Sequence, residues 1–286
     1  MNKNPICCCL LRLVSTLVAC GEPDESTLPE GTDSLPFAPG EELTLKLGWS
    51  LFSVGNITMK VSGPEKKDGT DCLHFHLSAR TRGFADKLFK VRTDIHGWVD
   101  EQMSRTYHYE KNQEEGKTHR EIVVDFNWPE NKLQYSNWGE AIEPLKLEGA
   151  VFDPLSAIYY FRTLPIEIGG EYAFPVTDGK RLVTGRVWVR ELETVKTSLG
   201  KINCYKLEPE LKHIGGVFRE SKGKSMYIWL SADKYRVPVK VKTKVKVGSF
   251  HATLSGFKVA GEGDGLPDDC ALLTNYKEIR RNRRGR

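Results

Sequence analysis

The sequence predicts a mainly β protein. It reads as a large curved antiparallel sheet closing into a barrel or two packed sheets, with one short helix at about 153–163. Three observations carry this reading. Apolar and polar residues alternate with period two in one segment after another. Gly, Asn, Asp and Pro separate most of those segments, as turns require. A strong helix-start signal stands out at Asp153-Pro154.

The strands follow in chain order. Leu43, Leu45 and Leu47, then Ile57, Met59 and Val61, bracket Trp49 to Gly55 and predict a first hairpin. Cys72 to Ala79, Leu88 to Val99, Arg105 to Tyr109, Glu121 to Trp128 and Lys132 to Trp138 come next, with a polar turn over Asn112 to Gly116. Beyond the helix lie Glu171 to Val176, Leu182 to Leu192, Ile202 to Leu207 and Ser225 to Leu230. Asp178-Gly179 between the first two is a hairpin-turn pair. The cleanest alternation is Val237 to Val247. Val239, Val241, Val245 and Val247 point one way, and Lys240, Lys242, Lys244 and Lys246 the other, giving one buried and one solvated face. Ser249 to Val259 continues as a last strand.

In the helix, Asp153 is an N-cap and Pro154 occupies the first helical position. Leu155, Ile158, Tyr159 and Arg162 fall on one stripe, and Pro165 ends it. Such a helix would lie across an opening or edge of the sheet.

The chain divides into four parts. Residues 1–19 form a leader: Lys3 is its basic start, and Ile6 to Val18 form an apolar run too short to span a bilayer and interrupted by Arg12. Leu17-Val18-Ala19-Cys20 has the pattern of a bacterial lipoprotein signal, which makes Cys20 the lipidated N-terminus of the mature chain. Gly21, rather than Asp, follows it and favours the outer membrane in the enteric sorting pattern. Residues 20–36 are a polar, acidic tether with a span of roughly 20–25 Å. Residues 37–260 form the β domain, and residues 261–286 a polar, basic extension ending in Arg280-Arg281-Asn282-Arg283-Arg284-Gly285-Arg286.

Composition narrows the function classes. Loss of Lys3 and Arg12 with the leader reduces the 42 Lys and Arg of the chain by two, nearly balanced by 38 Asp and Glu. With the basic excess confined to the C-terminal tail, nothing argues for nucleic-acid binding. After export Cys72, Cys204 and Cys270 remain besides Cys20, enough for one disulfide whose pairing the sequence leaves open.

Several segments occur in a familiar order. They are Pro36-Phe37-Ala38-Pro39-Gly40-Glu41-Glu42-Leu43, the Gly48-Trp49 and Gly55 hairpin, and Asp153-Pro154-Leu155-Ser156. Thr197-Ser198-Leu199-Gly200 to Glu208-Pro209 and Ile228-Trp229-Leu230-Ser231-Ala232-Asp233 with Arg236-Val237-Pro238-Val239 complete the set. The ordered set resembles DUF3108, a bacterial family of exported proteins of unknown function. The resemblance covers Phe37 to Val259. It implies a β-rich periplasmic or outer-membrane-associated protein and brings no catalytic residues with it.

Candidate chemistry is sparse. Cys72, His74 and His76 share one strand face, a soft-donor set weighed for zinc or copper, but no fourth ligand is identifiable and no metal site is assigned. His108 and His119 flank the Asn112 to Gly116 turn and are expected to face each other across a hairpin. No nucleophile elbow, His-Glu-x-x-His helix, phosphate loop or dinucleotide fingerprint occurs. No catalytic residue and no cofactor is assigned.

The leading expectation is a non-enzymatic cell-envelope lipoprotein, periplasmic and held to a membrane through Cys20, that binds a hydrophobic or lipid ligand inside the curved sheet. Trp49, Phe52, Phe84, Phe89, Trp98, Tyr159 and Phe161 are the candidate lining. The alternative is an envelope scaffold contacting anionic lipid or glycan through the lysines of Lys240 to Lys246. A second alternative is an enzyme acting on envelope glycans or lipids.

Overall fold

The computed structural model describes residues 34–210, 225–244 and 249–258. Its strands are β1 (Glu42–Trp49), β2 (Phe52–Lys67), β3 (Thr70–Thr81), β4 (Val91–Asp100), β5 (Thr106–Glu115), β6 (Thr118–Asn127), β7 (Lys132–Asn137), β8 (Glu140–Ala141) and β9 (Leu145–Lys146). After the helical segment come β10 (Glu171–Thr177), β11 (Leu182–Thr197), β12 (Gly200–Pro209), β13 (Met226–Ser231), β14 (Pro238–Lys244) and β15 (Ser249–Lys258). The helices are α1 (Phe84–Leu88) and α2 (Pro154–Thr163).

All fifteen strands among the described residues belong to one sheet, in the order β10-β11-β12-β13-β14-β15-β1-β2-β3-β4-β5-β6-β7-β8, with β9 paired to β7. Neighbours along it are antiparallel, and β15 pairs with β1 at its middle. The meander therefore sends the β1–β2, β3–β4, β5–β6, β7–β8 and β10–β11 turns to one rim, here the upper rim. The β2–β3, β4–β5, β6–β7, β11–β12 and β13–β14 turns lie at the lower rim.

Among the described residues no strand ladder joins the outer strands, so the sheet is barrel-like and open in its hydrogen bonding. Packing bridges the seam instead. Val151 O accepts from Thr106 N at the start of β5, while Phe152 exchanges bonds of 3.1 and 2.9 Å with Pro175 and Thr177 of β10. The β10–β11 turn presses inward, and Lys180 Nζ lies 4.7 Å from the Tyr135 ring centre on β7.

Helix α2 is an internal plug rather than a cover laid across an edge: every residue except Ile158 is buried. Asp153 Oδ1 accepts from the amides of Leu155 and Ser156, and Oδ2 accepts from the Thr106 hydroxyl. These bonds satisfy helix-start amides that burial would otherwise leave unpaired. Gly97 on β4 lets the helix approach this closely, because a Cβ there would sit 2.7 Å from Ser156 Oγ and 2.8 Å from Asp153 Oδ2. Tyr159 stacks on Phe75 of β3 with ring centres 3.9 Å apart. Phe152, Tyr160 and Phe174 pack together on the β10 side.

The fully buried Arg162 donates to both carboxylate oxygens of Glu41, at 2.7 and 2.8 Å, and to Tyr235 O. Arg236 closes the other end of this arrangement by donating to the carbonyls of Arg162 and Leu164. Glu41, Asp153-Pro154-Leu155-Ser156 and Arg236 all lie in segments that carry the family resemblance. Their role in this fold is to hold α2 in place.

Several boundaries differ from the sequence reading. The Leu88 to Val99 strand begins only at Val91, because Phe84–Leu88 forms α1. Hydrogen-bonded pairing carries β5 on to Glu115, overriding the polar composition of Asn112 to Gly116 and leaving only Gly116-Lys117 as the turn. β11 runs five residues past Leu192, to Thr197. The two-residue strands β8 and β9 are too short for a period to show.

Candidate functional site

Strands β12, β13 and β14 build a groove on the outer face of the sheet. Register places Tyr227 opposite Lys242 and Trp229 opposite Lys240, while Lys206 lies opposite Trp229 on the other side. Tyr227, Trp229, Lys206, Lys240, Lys242 and Lys244 surround a cleft of about 810 Å3, which opens at the upper rim beside Ser50, Leu51 and Ser249. Buried Trp229 forms the floor. Its indole Nε1 donates to Glu193 at 2.6 Å, and Lys240 Nζ lies 4.8 Å from its ring centre.

The groove's charge is uneven. Lys206 bonds Glu191 and Glu193 at 2.8 and 2.9 Å, and those bonds raise its pKa. Burial, with repulsion from Lys242, lowers the pKa of Lys240. Lys242 and Lys244 form no ion pair with a carboxylate among the described residues. Burial and the charges of Lys240 and Lys242 also lower the pKa of neighbouring His251 on β15. The downward shifts of Lys240 and His251 come first from burial and then from neighbouring lysine charge, and an incoming anion would favour the charged form of both.

A second polar cluster covers the outside of β3 to β6. His74 Nε2 and His96 Nδ1 are 2.8 Å apart, and His76 stacks on His96 with ring centres 4.3 Å apart. His74 also stacks on Trp98, and Glu65 joins the two by accepting from Trp98 Nε1 at 2.8 Å while meeting His74 Nδ1 at 3.0 Å. Burial and the charges of His76 and His74 push the His96 pKa down to about 4. Burial lowers that of His74 as well. For Asp94, burial acts upward, but hydrogen bonds from His76 and Arg80 prevail and bring it to about 2.

The expected site residues distribute as follows. Lys240, Lys242 and Lys244 share the outer face of β14, whereas Lys246 lies outside the described residues, as do Cys20, Cys270 and the arginine-rich tail. Cys72 is fully buried, and its thiol rises to about 11 chiefly through burial. His74 and His76 engage the rings of β4 instead of converging with it. Cys72 and Cys204 are both free thiols. His108 and His119 do not face each other: the extended β5–β6 register places His108 against Asp125, with Nδ1 2.7 Å from its carboxylate, and His119 opposite Glu114.

The seven aromatic residues expected to line a cavity do not share one. Tyr159 and Phe161 belong to the buried α2 plug, Trp98 lies in the outer histidine cluster, Phe89 packs below Gly116, and Phe52 and Phe84 are exposed. Trp49 is half-buried and stacks near Phe250.

Sequence reasoning missed Lys206, Glu193 and Trp229 as parts of the lysine face. The alternation Tyr227-x-Trp229 across the turn from Lys240-x-Lys242 was the available signal. It missed His96 and Trp98 as partners of His74 for the same reason: pairing, not periodicity, brings them together.

This architecture defines a β-barrel-like class, an open antiparallel sheet plugged by an internal helix and carrying a cationic, aromatic-floored groove outside. The DUF3108 family, described as a protein of unknown function, matches residues 43–255, and the chain belongs to it. No curated protein matches the chain. Among solved structures it is similar to the beta-barrel-like protein of domain of unknown function DUF1849 from Brucella abortus. The identity is 9%, the match covers 80% of this chain and all (100%) of that one, and the TM-score is 0.53. That likeness supports the fold. A protein with a YmcC-like fold from Bacteroides fragilis is 11% identical, with 78% and 98% of the two chains covered and a TM-score of 0.30. The lipoprotein LppX of Mycobacterium tuberculosis is 10% identical, with 78% and 90% covered and a TM-score of 0.23. Likenesses of that size carry no argument.

Proposed function

We propose that this chain is a non-enzymatic, periplasmic cell-envelope lipoprotein. In this reading it is anchored through Cys20, with the outer membrane favoured, and its outer groove binds the anionic group of an envelope lipid or glycan. The lysine groove carries the reading. Lys242 and Lys244 form no carboxylate pair among the described residues, Lys240 is held beside an aromatic floor, and the cleft of about 810 Å3 lies in the size range of ligand sites. A phosphate or carboxylate would meet the ammonium groups while sugar or glycerol carbons lie over Trp229. The interior reading has less support, because α2 and its aromatic partners fill the core where a hydrophobic ligand would sit.

The test uses the full chain with Cys20→Ser, which removes the lipid attachment. Binding of polygalacturonate and of monomeric short-chain phosphatidylglycerol is measured by titration calorimetry. Lys240→Glu with Lys242→Glu should weaken binding of whichever probe binds by about tenfold or more, at ~1 kcal/mol per basic residue near an anionic partner. Unchanged affinity, or no binding of either probe, would overturn the proposal.

A further inference from the structure

Large apolar side chains are exposed on two adjoining loops of the upper rim. The β1–β2 turn presents Leu51 and Phe52, 97% and 69% exposed, and α1 presents Phe84 and Leu88, 75% and 53% exposed. These loops are neighbours: α1 packs beside the start of β2, and Arg82 N donates to Val54 O. Trp138, 57% exposed, occupies the β7–β8 turn farther along the same rim. The buried cores of β1 and β2 have no use for these residues, because the apolar faces of both strands already point inward.

The charges around the two loops are positive. The Asp86 carboxylate is taken up by Arg92, and Glu114 by Lys90. Arg82, Lys87, Lys117 and Lys244 are exposed around the patch and form no ion pair with a carboxylate among the described residues. Glu140 and Glu143 lie on the far side, next to Trp138.

We propose that this rim docks onto an anionic phospholipid bilayer, with Leu51, Phe52, Phe84 and Leu88 entering the headgroup–acyl boundary and the four cations meeting lipid phosphates. Charge complementarity selects this partner. Apolar side chains on separate loop tips, ringed by basic residues, match an interface whose surface is anionic and whose depth is apolar. The rim shares Leu51 and Lys244 with the groove, but Phe52, Phe84, Leu88, Arg82, Lys87 and Lys117 belong to the rim alone, so the two readings are tested by separate variants. If both hold, the groove opens beside the docked rim, because Leu51 and Ser249 lie at its mouth.

The experiment is flotation of the full-length Cys20→Ser protein with vesicles of phosphatidylcholine, with and without one-quarter phosphatidylglycerol. Binding should require the anionic lipid. Phe52→Ser with Phe84→Ser should weaken it about tenfold or more, as removal of two inserted apolar side chains predicts. Lys240→Glu with Lys242→Glu should change it less than Arg82→Glu with Lys87→Glu. In a second measurement, Leu51→Trp should show a blue-shifted emission on anionic vesicles. Absence of vesicle binding, equal binding by the Phe52→Ser, Phe84→Ser variant, or an unshifted Leu51→Trp spectrum would overturn the proposal. So would a concentration-dependent dimer lost in the same variant, because a second copy of the chain would then cover the rim.

Discussion

Arg162 and Glu41 are 121 residues apart in sequence and share one buried ion pair in the fold. Taking both charges out of water is costly, and the pair is tolerated because the guanidinium meets both carboxylate oxygens and a backbone carbonyl. Removing one partner is worse than removing both. Arg162→Met would strand the Glu41 carboxylate and should destabilise the domain by about 3–5 kcal/mol in urea unfolding. Adding Glu41→Leu should restore much of that loss. A loss below about 1 kcal/mol for Arg162→Met would show that the carboxylate finds water, contrary to its burial. The sequence marked Arg162 as the polar end of a helical stripe. It contained no sign of Glu41 as its partner, because sequence separation carries no information about which strand the helix end will meet.

At the scale of elements, β3 and β4 combine an apolar inner face with an outer histidine row. The inner face was legible: Leu73, Phe75 and Leu77 alternate with their neighbours, and all are buried. The outer row has a pH consequence. The pKa of His96 in the fold, about 4, lies below its ordinary 6.5, so the folded state binds fewer protons than the unfolded chain between those values. The stability contributed by neutral His96 is complete above pH 6.5 and is lost as pH falls towards 4. His74 acts in the same direction. His108 opposes it: burial lowers its pKa, but hydrogen bonds to Asp125 and Glu110 raise it overall, so its contribution is present in acid and fades as pH rises. Glu65, Asp94 and Glu110 face the row and moderate the cost of protonation. Urea unfolding at pH 7 and pH 5 should therefore show lower stability at pH 5, and His96→Gln should narrow the difference. An equal difference in wild type and His96→Gln would remove His96 from this account. Helix α2 shows the complementary case. Its start was written in Asp153-Pro154, yet the burial of every residue but Ile158 was not, because a stripe of apolar residues describes one face and says nothing of what covers the others.

For the whole molecule, the seam between the two ends of the sheet decides whether fifteen strands act as one body. Side-chain packing and the Val151-Phe152 segment do this in place of a strand ladder. Gly179 makes a close approach there: a Cβ on it would sit 2.6 Å from Val124 Cγ2 and 2.8 Å from Tyr135 Cδ2, and φ is +88°. Gly179→Val combines overpacking with a left-handed backbone that a β-branched residue resists, and should cost about 2–4 kcal/mol. Amide exchange should quicken in β6, β7 and β10 together, the strands on either side of the seam. Faster exchange confined to the β10–β11 turn would mean that the seam does not depend on this contact.

The sequence by itself determined the β class, most strand positions, the start of α2 and the lysine face of β14, together with the expectation of a lipid anchor at Cys20. Period-two alternation, turn residues and N-caps are properties of neighbouring residues, and each is complete within a few positions of the chain. Only the tertiary structure decided that β15 joins β1 in mid-sheet, that α2 sits inside, and that Lys206 and Trp229 complete the groove. It also decided that the apolar tips of two loops share one rim. These depend on which strands pair across long separations. That choice is made by the packing of the whole core, where burying α2 and its ion pair fixes the curvature of the sheet around them.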